Sequence, residues 1–347
     1  MADPNATAAV PAAVAALAAP FALRGRTAKN RVALPPMVIT GLHPDCVVTD
    51  ETVAHYRAFA EGGAGFLVQE ATAVSPDGKL HPKQLGLWED AQTDGMRRLV
   101  EAVRPHGGVF VVQIHHAPVP PDAGTDAVER IVARFADAAV RAERAGYDGV
   151  ELHGAHGYLL SRFHSTAWNR RTDRYGDPER LVLEVYDAVR AATSGGFLVG
   201  IRLGADNPGF EAGIALARSL DRRGIDFLDV SNGYRGPDAA PPAPPEGYPF
   251  SALSYRAAAV RPHVKAPVIG VGSLNDPAVA AAYVAAGHAD FAAVGRGQLV
   301  DPAWTRKALS GAPIHACMEC PGCQWFGNHP CCPGRQRADR LEGRISP

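Results

Sequence analysis

The chain has 347 residues, of which 46% are hydrophobic and 20% are charged. This composition is typical of a globular protein with one large α/β domain or two smaller ones, and it excludes a wholly disordered chain. The formal net charge of −1 argues against a nucleic-acid partner or an anionic membrane surface. No apolar run is long enough to span a bilayer, and the N-terminus lacks the basic start of a secretory signal. We therefore expect a cytoplasmic protein with no membrane partner.

Short apolar segments alternate with longer segments of helical spacing along most of the chain. The predicted strands cover residues 32–34, 65–69, 109–114, 149–153, 198–203, 227–230, 268–271 and 291–294. The predicted helices cover residues 50–60, 93–103, 127–145, 180–192, 212–222, 251–260, 277–286 and 302–309. Residues 235–250 form a Pro-rich segment and are predicted to be a loop.

Eight strand–helix units in this length predict an α/β fold, a (β/α)8 TIM barrel, over residues 21–312. We expect residues 1–20 to form a flexible N-terminal lead and residues 313–347 to form a Cys-rich C-terminal extension. A doubly wound sheet is the alternative. That fold usually carries a G-x-G-x-x-G motif after its first strand, whereas this chain has PPMVIT at residues 35–40.

The segment GVELHGAHGY places two imidazoles and a phenol just past the end of a predicted strand. These side chains are His153, His156 and Tyr158. A single histidine here would most simply be a core residue. Three such groups at the carboxyl end of a barrel strand, where ligands bind, favour a catalytic site.

Two later strand ends are typical of a phosphate site. Gly272 and Ser273 follow one strand, and Gly295 and Arg296 follow the next. Glycines allow backbone N–H groups to approach an anion, and an arginine adds a cation. Arg202, near the end of another strand, is costly to bury alone and is expected to face an electron-rich ligand.

Several segments together resemble the Old Yellow Enzyme family of FMN-dependent ene-reductases. They include KNRVALPPM (29–37), VVQIHHA (111–117), AGYDGVELHGAHGYLL (145–160), NRRTDRYG (169–176) and VGIRLG (199–204). The resemblance covers residues 22–310 and implies a barrel that binds FMN non-covalently, with NAD(P)H as reductant.

The resemblance also implies roles for individual residues. Gln113 and Arg202 would contact the pyrimidine edge of the flavin, while Pro36, Met37 and Ala71 would contact its rings. Gly272, Ser273, Gly295 and Arg296 would hold the phosphate. His153 and His156 would bind the carbonyl oxygen of an α,β-unsaturated substrate. Tyr158 would deliver a proton to its α-carbon, while a hydride passes from flavin N5 to its β-carbon.

Five cysteines crowd into the C-terminal extension. They are Cys317, Cys320, Cys323, Cys331 and Cys332. The spacing is similar to iron–sulfur ligation, and partly resembles the [4Fe-4S] segment of the dienoyl-CoA and enoate reductase branch of the same family. A zinc site with four thiolates is the alternative, and either Cys331 or Cys332 could be the fourth ligand.

Two other functions are open to the same residues. One is the reverse reaction, a desaturation or aromatisation that uses the same site in a biosynthetic pathway. The other is an electron-transfer subunit whose FMN and iron–sulfur cluster serve a partner protein. We also expect a homo-oligomer, by analogy with the family.

Overall fold

Eight parallel strands close into a barrel in the computed structural model, which describes residues 10–237 and 239–344. A small antiparallel hairpin, β1 (Phe21–Leu23) and β2 (Arg26–Ala28), precedes the barrel. The barrel strands are β3 (Val32–Leu34), β4 (Phe66–Ala73), β5 (Val109–His115), β6 (Gly149–Gly154), β7 (Leu198–Gly204), β8 (Phe227–Ser231), β9 (Val268–Val271) and β10 (Phe291–Ala293). Each strand pairs with the next, and β10 pairs with β3 to close the ring. The predicted (β/α)8 barrel is confirmed.

Helices alternate with the barrel strands, and others precede and follow them. They are α1 (Ala15–Ala18), α2 (Asp50–Glu61), α3 (Thr93–Val103), α4 (Thr125–Ala145), α5 (Leu159–His164), α6 (Arg180–Ala192), α7 (Phe210–Arg222), α8 (Ala252–Val260), α9 (Pro277–Ala285), α10 (Arg296–Val300), α11 (Trp304–Ser310), α12 (Trp325–Asn328) and α13 (Pro333–Leu341). Helix α1 precedes the barrel strands, and α11–α13 follow them. Every helix in the described ranges is too short or too polar to cross a lipid bilayer.

Burial on both faces explains why the strands are almost continuously apolar. Helix α4 shows the matching pattern on the outer layer, since its buried residues recur at helical spacing from Val128 to Ala145. It ends at Gly146, whose φ of 95° lies in the left-handed region that favours glycine. Inside the barrel, the ring of Phe66 packs edge-on against Phe227 at 5.0 Å and Phe291 at 5.7 Å. These phenylalanine rings fill the barrel at the amino ends of the strands. Polar side chains inside the barrel therefore lie toward the carboxyl ends.

Strand β4 continues four residues beyond its predicted end at residue 69. The pairing with β5 shifts between Gln69 and Thr72, which marks a bulge. Within it, the buried Glu70 accepts a hydrogen bond from the Ile39 backbone N–H at 3.1 Å and lies 2.9 Å from His43 Nε2. The bulge therefore anchors the loop that follows β3, which forms one wall of the site described below.

The described parts of the N-terminal lead and the C-terminal extension both pack against the barrel. The first nine residues of the expected flexible lead lie outside the described residues. Its later part forms α1 and buries Val14 and Leu17 in the main core. At the other end, α13 buries Ala338 and contacts α10. Both segments thereby remove apolar side chains from water by packing on the barrel.

Candidate active site

A cavity of about 670 Å³ opens at the carboxyl ends of the barrel strands, within the usual size range of small-molecule sites. All twelve residues predicted for catalysis or FMN binding lie in its lining. They are Pro36, Met37, Ala71, Gln113, His153, His156, Tyr158, Arg202, Gly272, Ser273, Gly295 and Arg296. Residues from seven strand ends and 260 positions of sequence thus meet in one place, although their individual roles stay predictions.

His153 and His156 lie at the end of β6 and are held as neutral imidazoles. His156 has a φ of 61°, and its backbone N–H donates to the Asn232 carbonyl at 3.0 Å. Its Nε2 lies 2.8 Å from Ser231 Oγ at the end of β8. Burial lowers the pKa of His156 to about 3 and that of His153 well below its usual value. Neutral imidazoles each retain one N–H donor, so the pair can bind an oxygen without carrying charge.

Tyr158 lies between two imidazole rings. Its ring packs edge-on against His115 at 4.7 Å and against His153 at 4.7 Å. Burial raises the pKa of the Tyr158 phenol, so the hydroxyl stays protonated at neutral pH. The phenol is therefore held in the cavity in its acid form.

His115 is a site residue that the sequence analysis did not single out. It is fully buried, and within the described residues neither of its ring nitrogens has a hydrogen-bond partner. Burial lowers its pKa to about 3. Its position at the end of β5 was visible in the sequence, but its contact with Tyr158 depends on the pairing of β5 with β6.

The floor of the cavity fits the pyrimidine edge of a flavin. Gln113 Nε2 donates to Glu151 Oε1 at 2.7 Å, which leaves the Gln113 carbonyl available to the cavity. Arg202 is buried, and its Nε lacks a hydrogen-bond partner in the part of the chain that the structure describes. A buried, unpaired guanidinium N–H is costly, and the carbonyl and ring nitrogens of a flavin supply the acceptors that it lacks.

The opposite wall fits a phosphate. Gly272 has a φ of 131°, and a Cβ there would lie 2.8 Å from Leu253 Cβ. Ser273 follows with a φ of 52°, also in the left-handed region. A Cβ at Gly295 would lie 3.2 Å from Met37 Sδ. Glycine is thus required at Gly272, and a side chain at Gly295 would crowd Met37 beside Arg296, so the backbone at both positions is open to close approach by an anion.

The C-terminal extension contributes two residues to the cavity lining, Cys323 and Phe326. Trp325 anchors this segment, since it is buried and its ring lies 6.2 Å from that of His55 on α2. The Phe326 carbonyl accepts a hydrogen bond from Thr40 Oγ1 at 3.1 Å. The sequence analysis missed Phe326 because nothing in the local pattern of this segment shows that it folds back over the barrel.

The predicted metal ligands are not gathered into a site. Cys323 faces the cavity, whereas Cys332 packs against the main hydrophobic core. No disulfide links any of the cysteines in the described ranges. Among the described residues, no three His, Cys, Asp or Glu side chains are grouped so that they could bind a metal ion. The arrangement of the five thiols therefore does not fit the four-thiolate site that their spacing predicts.

Comparison with known proteins establishes the family. The model of the NADH:flavin oxidoreductase / NADH oxidase family matches residues 16–129 and 122–314. The chain belongs to this family. The predicted resemblance to the Old Yellow Enzyme family is confirmed, and the protein is an FMN-dependent oxidoreductase.

Individual members of the NADH:flavin oxidoreductase family match most of the chain. An NADPH dehydrogenase from Geobacillus thermodenitrificans is 32% identical over 86% of this chain and 96% of its own length. An NADH oxidase from Thermoanaerobacter brockii is 35% identical over 84% of this chain, which spans only 50% of that longer protein. The structure of morphinone reductase in complex with tetrahydroNAD superposes with a TM-score of 0.72 at 27% identity, covering 87% of this chain and 93% of that one.

Acid should destabilise the fold through the buried histidines. An unfolded histidine titrates near pH 6.5, whereas the pKa of folded His115 is about 3. Between these values the unfolded state binds the extra proton, so the free energy of unfolding falls as the pH is lowered. We expect His115→Phe to reduce the slope of this free energy between pH 6 and pH 4 by about 1.4 kcal/mol per pH unit.

Urea denaturation at several pH values measures this slope. The same change at the exposed His81 is the control and should leave the slope unaltered. An unchanged slope in His115→Phe would show that His115 is charged in the folded protein.

Proposed function

We propose that the protein reduces the activated C=C bond of an α,β-unsaturated carbonyl compound, with FMN as resident cofactor and NAD(P)H as reductant. The observation that carries the proposal is that His153, His156 and Tyr158 line one cavity. Gln113 and Arg202 line the floor of the same cavity. The names of the relatives support it, since they include an NADPH dehydrogenase and a morphinone reductase.

The residues that would hold FMN form two groups in this cavity. Gln113 and Arg202 would bind the pyrimidine edge, and Pro36, Met37 and Ala71 would contact the ring system. Gly272, Ser273, Gly295 and Arg296 would hold the phosphate. When bound, FMN supplies the hydride that the substrate's β-carbon accepts.

His153 and His156 would bind the substrate's carbonyl oxygen. Their rings lie edge-on with centroids 5.2 Å apart, so their N–H groups can approach one oxygen from two sides. Because both rings are neutral, their donors stabilise the negative charge that develops on this oxygen without forming a tight ion pair beforehand. The hydrogen bond to Ser231 orients His156 for this role.

Tyr158 would complete the reduction by giving a proton to the α-carbon. Its raised pKa keeps the proton on the phenol until the carbonyl oxygen and α-carbon become electron-rich. His115 and His153 contact two sides of the ring, which limits its rotation. The chain therefore presents donors for both the oxygen and the α-carbon of one substrate.

Removal of the phenol proton tests this role. In Tyr158→Phe, we expect reoxidation of reduced FMN by an enone to slow by about 10²-fold or more, because general acid catalysis is lost. Reduction of FMN by NADPH should be unaffected. Stopped-flow absorbance separates the two half-reactions. Tyr255→Phe, which changes a partly buried tyrosine outside the cavity lining, is the control. Equal reoxidation rates in Tyr158→Phe and the native protein would remove Tyr158 from the mechanism.

Phe326 should restrict substrate size from the C-terminal side of the cavity. We expect Phe326→Ala to raise kcat/KM for a bulky bicyclic enone relative to a single-ring enone by about tenfold, as the loss of an obstructing side chain is worth 1–3 kcal/mol in such pockets. Met318→Ala is the matched control, since Met318 is an exposed apolar residue of the same segment outside the cavity lining. An unchanged ratio in Phe326→Ala would show that this residue does not contact substrate.

We also propose, from the spacing of the cysteines alone, that the C-terminal segment binds a [4Fe-4S] cluster, with zinc as the alternative. The thiols would have to move closer together to bind a metal, so we assign no reaction step to a metal. Anaerobically purified protein should then contain iron and acid-labile sulfide, and the triple variant Cys317→Ser, Cys320→Ser, Cys323→Ser should lose both. Zinc without iron would favour the structural alternative. Protein that lacks both metals would show the thiols unligated.

The electron-transfer partner and the homo-oligomer stay predictions. A partner protein is needed only if the cysteine segment binds a cluster, because NAD(P)H alone supplies the electrons for the reduction proposed here.

A further inference from the structure

Four buried polar side chains from consecutive strands meet beneath the cavity. Gln113 on β5 is level with Glu151 on β6, and Arg202 on β7 is level with Asp229 on β8. Glu151 and Asp229 are fully buried, and Arg202 is 6% exposed. Among the described residues, these two carboxyl groups are thus buried together with one guanidinium, that of Arg202.

The hydrogen-bond partners of the two carboxyl groups differ. Asp229 Oδ2 lies 3.6 Å from Arg202 Nη1, so its charge has a cation beside it. Glu151 Oε1 instead accepts from the neutral amide of Gln113 at 2.7 Å. Within the described residues, Glu151 Oε2 and both oxygens of Asp229 lack a hydrogen-bond partner.

Electrostatics decide how these groups are charged. Two ionised carboxylates and one guanidinium would leave a net charge of −1 in a region from which water is excluded. A buried charge without a counter-charge is far more costly than a buried neutral carboxyl group. One proton on the pair makes the group of three neutral, and it should reside on Glu151, since Asp229 is the carboxyl group within ion-pair distance of Arg202.

We propose that Glu151 is a protonated carboxylic acid at neutral pH and that Asp229 is ionised, so that Asp229 alone offsets the charge of Arg202 beneath the flavin site. The direction of titration agrees with this assignment. Burial, and then the charge of Asp229, raise the pKa of Glu151 well above its usual range, although the charge of Arg202 and the hydrogen bond from Gln113 act against that rise. Burial also raises the pKa of Asp229, but the guanidinium of Arg202 opposes that rise.

The assignment gives Asp229 a role in setting the reduction potential of the cofactor, and this consequence rests on the proposed FMN site. Reduced FMN places negative charge near the ring nitrogen that Arg202 would face, and Arg202 stabilises that charge. Asp229 weakens this stabilisation, because a negative charge behind the guanidinium opposes the charge on the flavin. Asp229 is therefore a positioning residue that keeps the bound flavin reducing enough to pass a hydride on. Glu151, which is neutral, orients the Gln113 amide without affecting the potential directly.

Two isosteric changes separate the charged carboxyl group from the neutral one. Glu151→Gln replaces one neutral group with another, so the midpoint potential of bound FMN should not move. Asp229→Asn, added in the Glu151→Gln background, removes the negative charge beside Arg202. The affinity for reduced FMN relative to oxidised FMN should then rise at least tenfold, or about 30 mV for this two-electron couple. Asp229→Asn alone should give a smaller rise, because Glu151 can ionise in its place.

The potentials are measured by anaerobic titration of the FMN-loaded proteins against a reference dye. A rise in potential in Glu151→Gln as large as that in the double variant would show that Glu151 is ionised and would overturn the assignment. So would a large rise in Glu151→Gln with none in Asp229→Asn, which would place the proton on Asp229.

Infrared spectroscopy of the FMN-free protein tests the proton without the cofactor. The native protein should show a carboxylic-acid C=O stretching band at neutral pH that is absent from Glu151→Gln. If the native protein and Glu151→Gln have the same spectrum in this region, the proposal is overturned. This test does not require the double variant to fold. Failure of the native protein to bind FMN, with the band present, would instead contradict the FMN site alone.

Discussion

The site depends on the closure of the parallel barrel, which brings the carboxyl ends of all eight strands to one rim. Register then decides which side chains meet there. His153 is level with Arg202, and Arg202 is level with Asp229, so three strands present their polar groups at the same height. Because side chains in a strand alternate between the two faces, a shift of one residue in β7 would turn Arg202 out of the barrel. The chemistry at the rim therefore depends on the pairing of strands that are distant in sequence.

The same closure excludes water, and this sets the protonation states. His115, His153 and His156 are neutral because their imidazolium forms would be desolvated, and the phenol of Tyr158 keeps its proton for the same reason. The charges that remain near the floor of the cavity are those of Arg202 and a carboxylate beside it. A buried cluster that includes Phe66, Phe227 and Phe291 fills the other end of the barrel, away from this polar region. The result is a site with neutral donors on one side and one partly offset cation below.

The cavity is lined by the C-terminal extension as well as by the barrel. Trp325 packs into the core, and its neighbour Phe326 reaches the cavity lining. One wall of the cavity is thus formed partly by residues of the C-terminal extension. A substitution in the extension can therefore change the cavity lining without changing the register of the barrel strands.

Much of the fold followed from the sequence. The eight apolar segments predicted the strands because parallel strands are buried on both faces, and their alternation with helices predicted the barrel. The cluster HGAHGY and the paired glycines also indicated the cavity lining, since strand ends meet at one rim in this fold. Other features depended on tertiary structure. They are the bulge that extends β4, the contact of His115 with Tyr158, and the position of Phe326 in the cavity lining. The grouping of Glu151, Arg202 and Asp229 likewise arises only when three strands pair. Local pattern records which face of a strand is buried, whereas contacts between strands and the path of the extension depend on packing between distant parts of the chain.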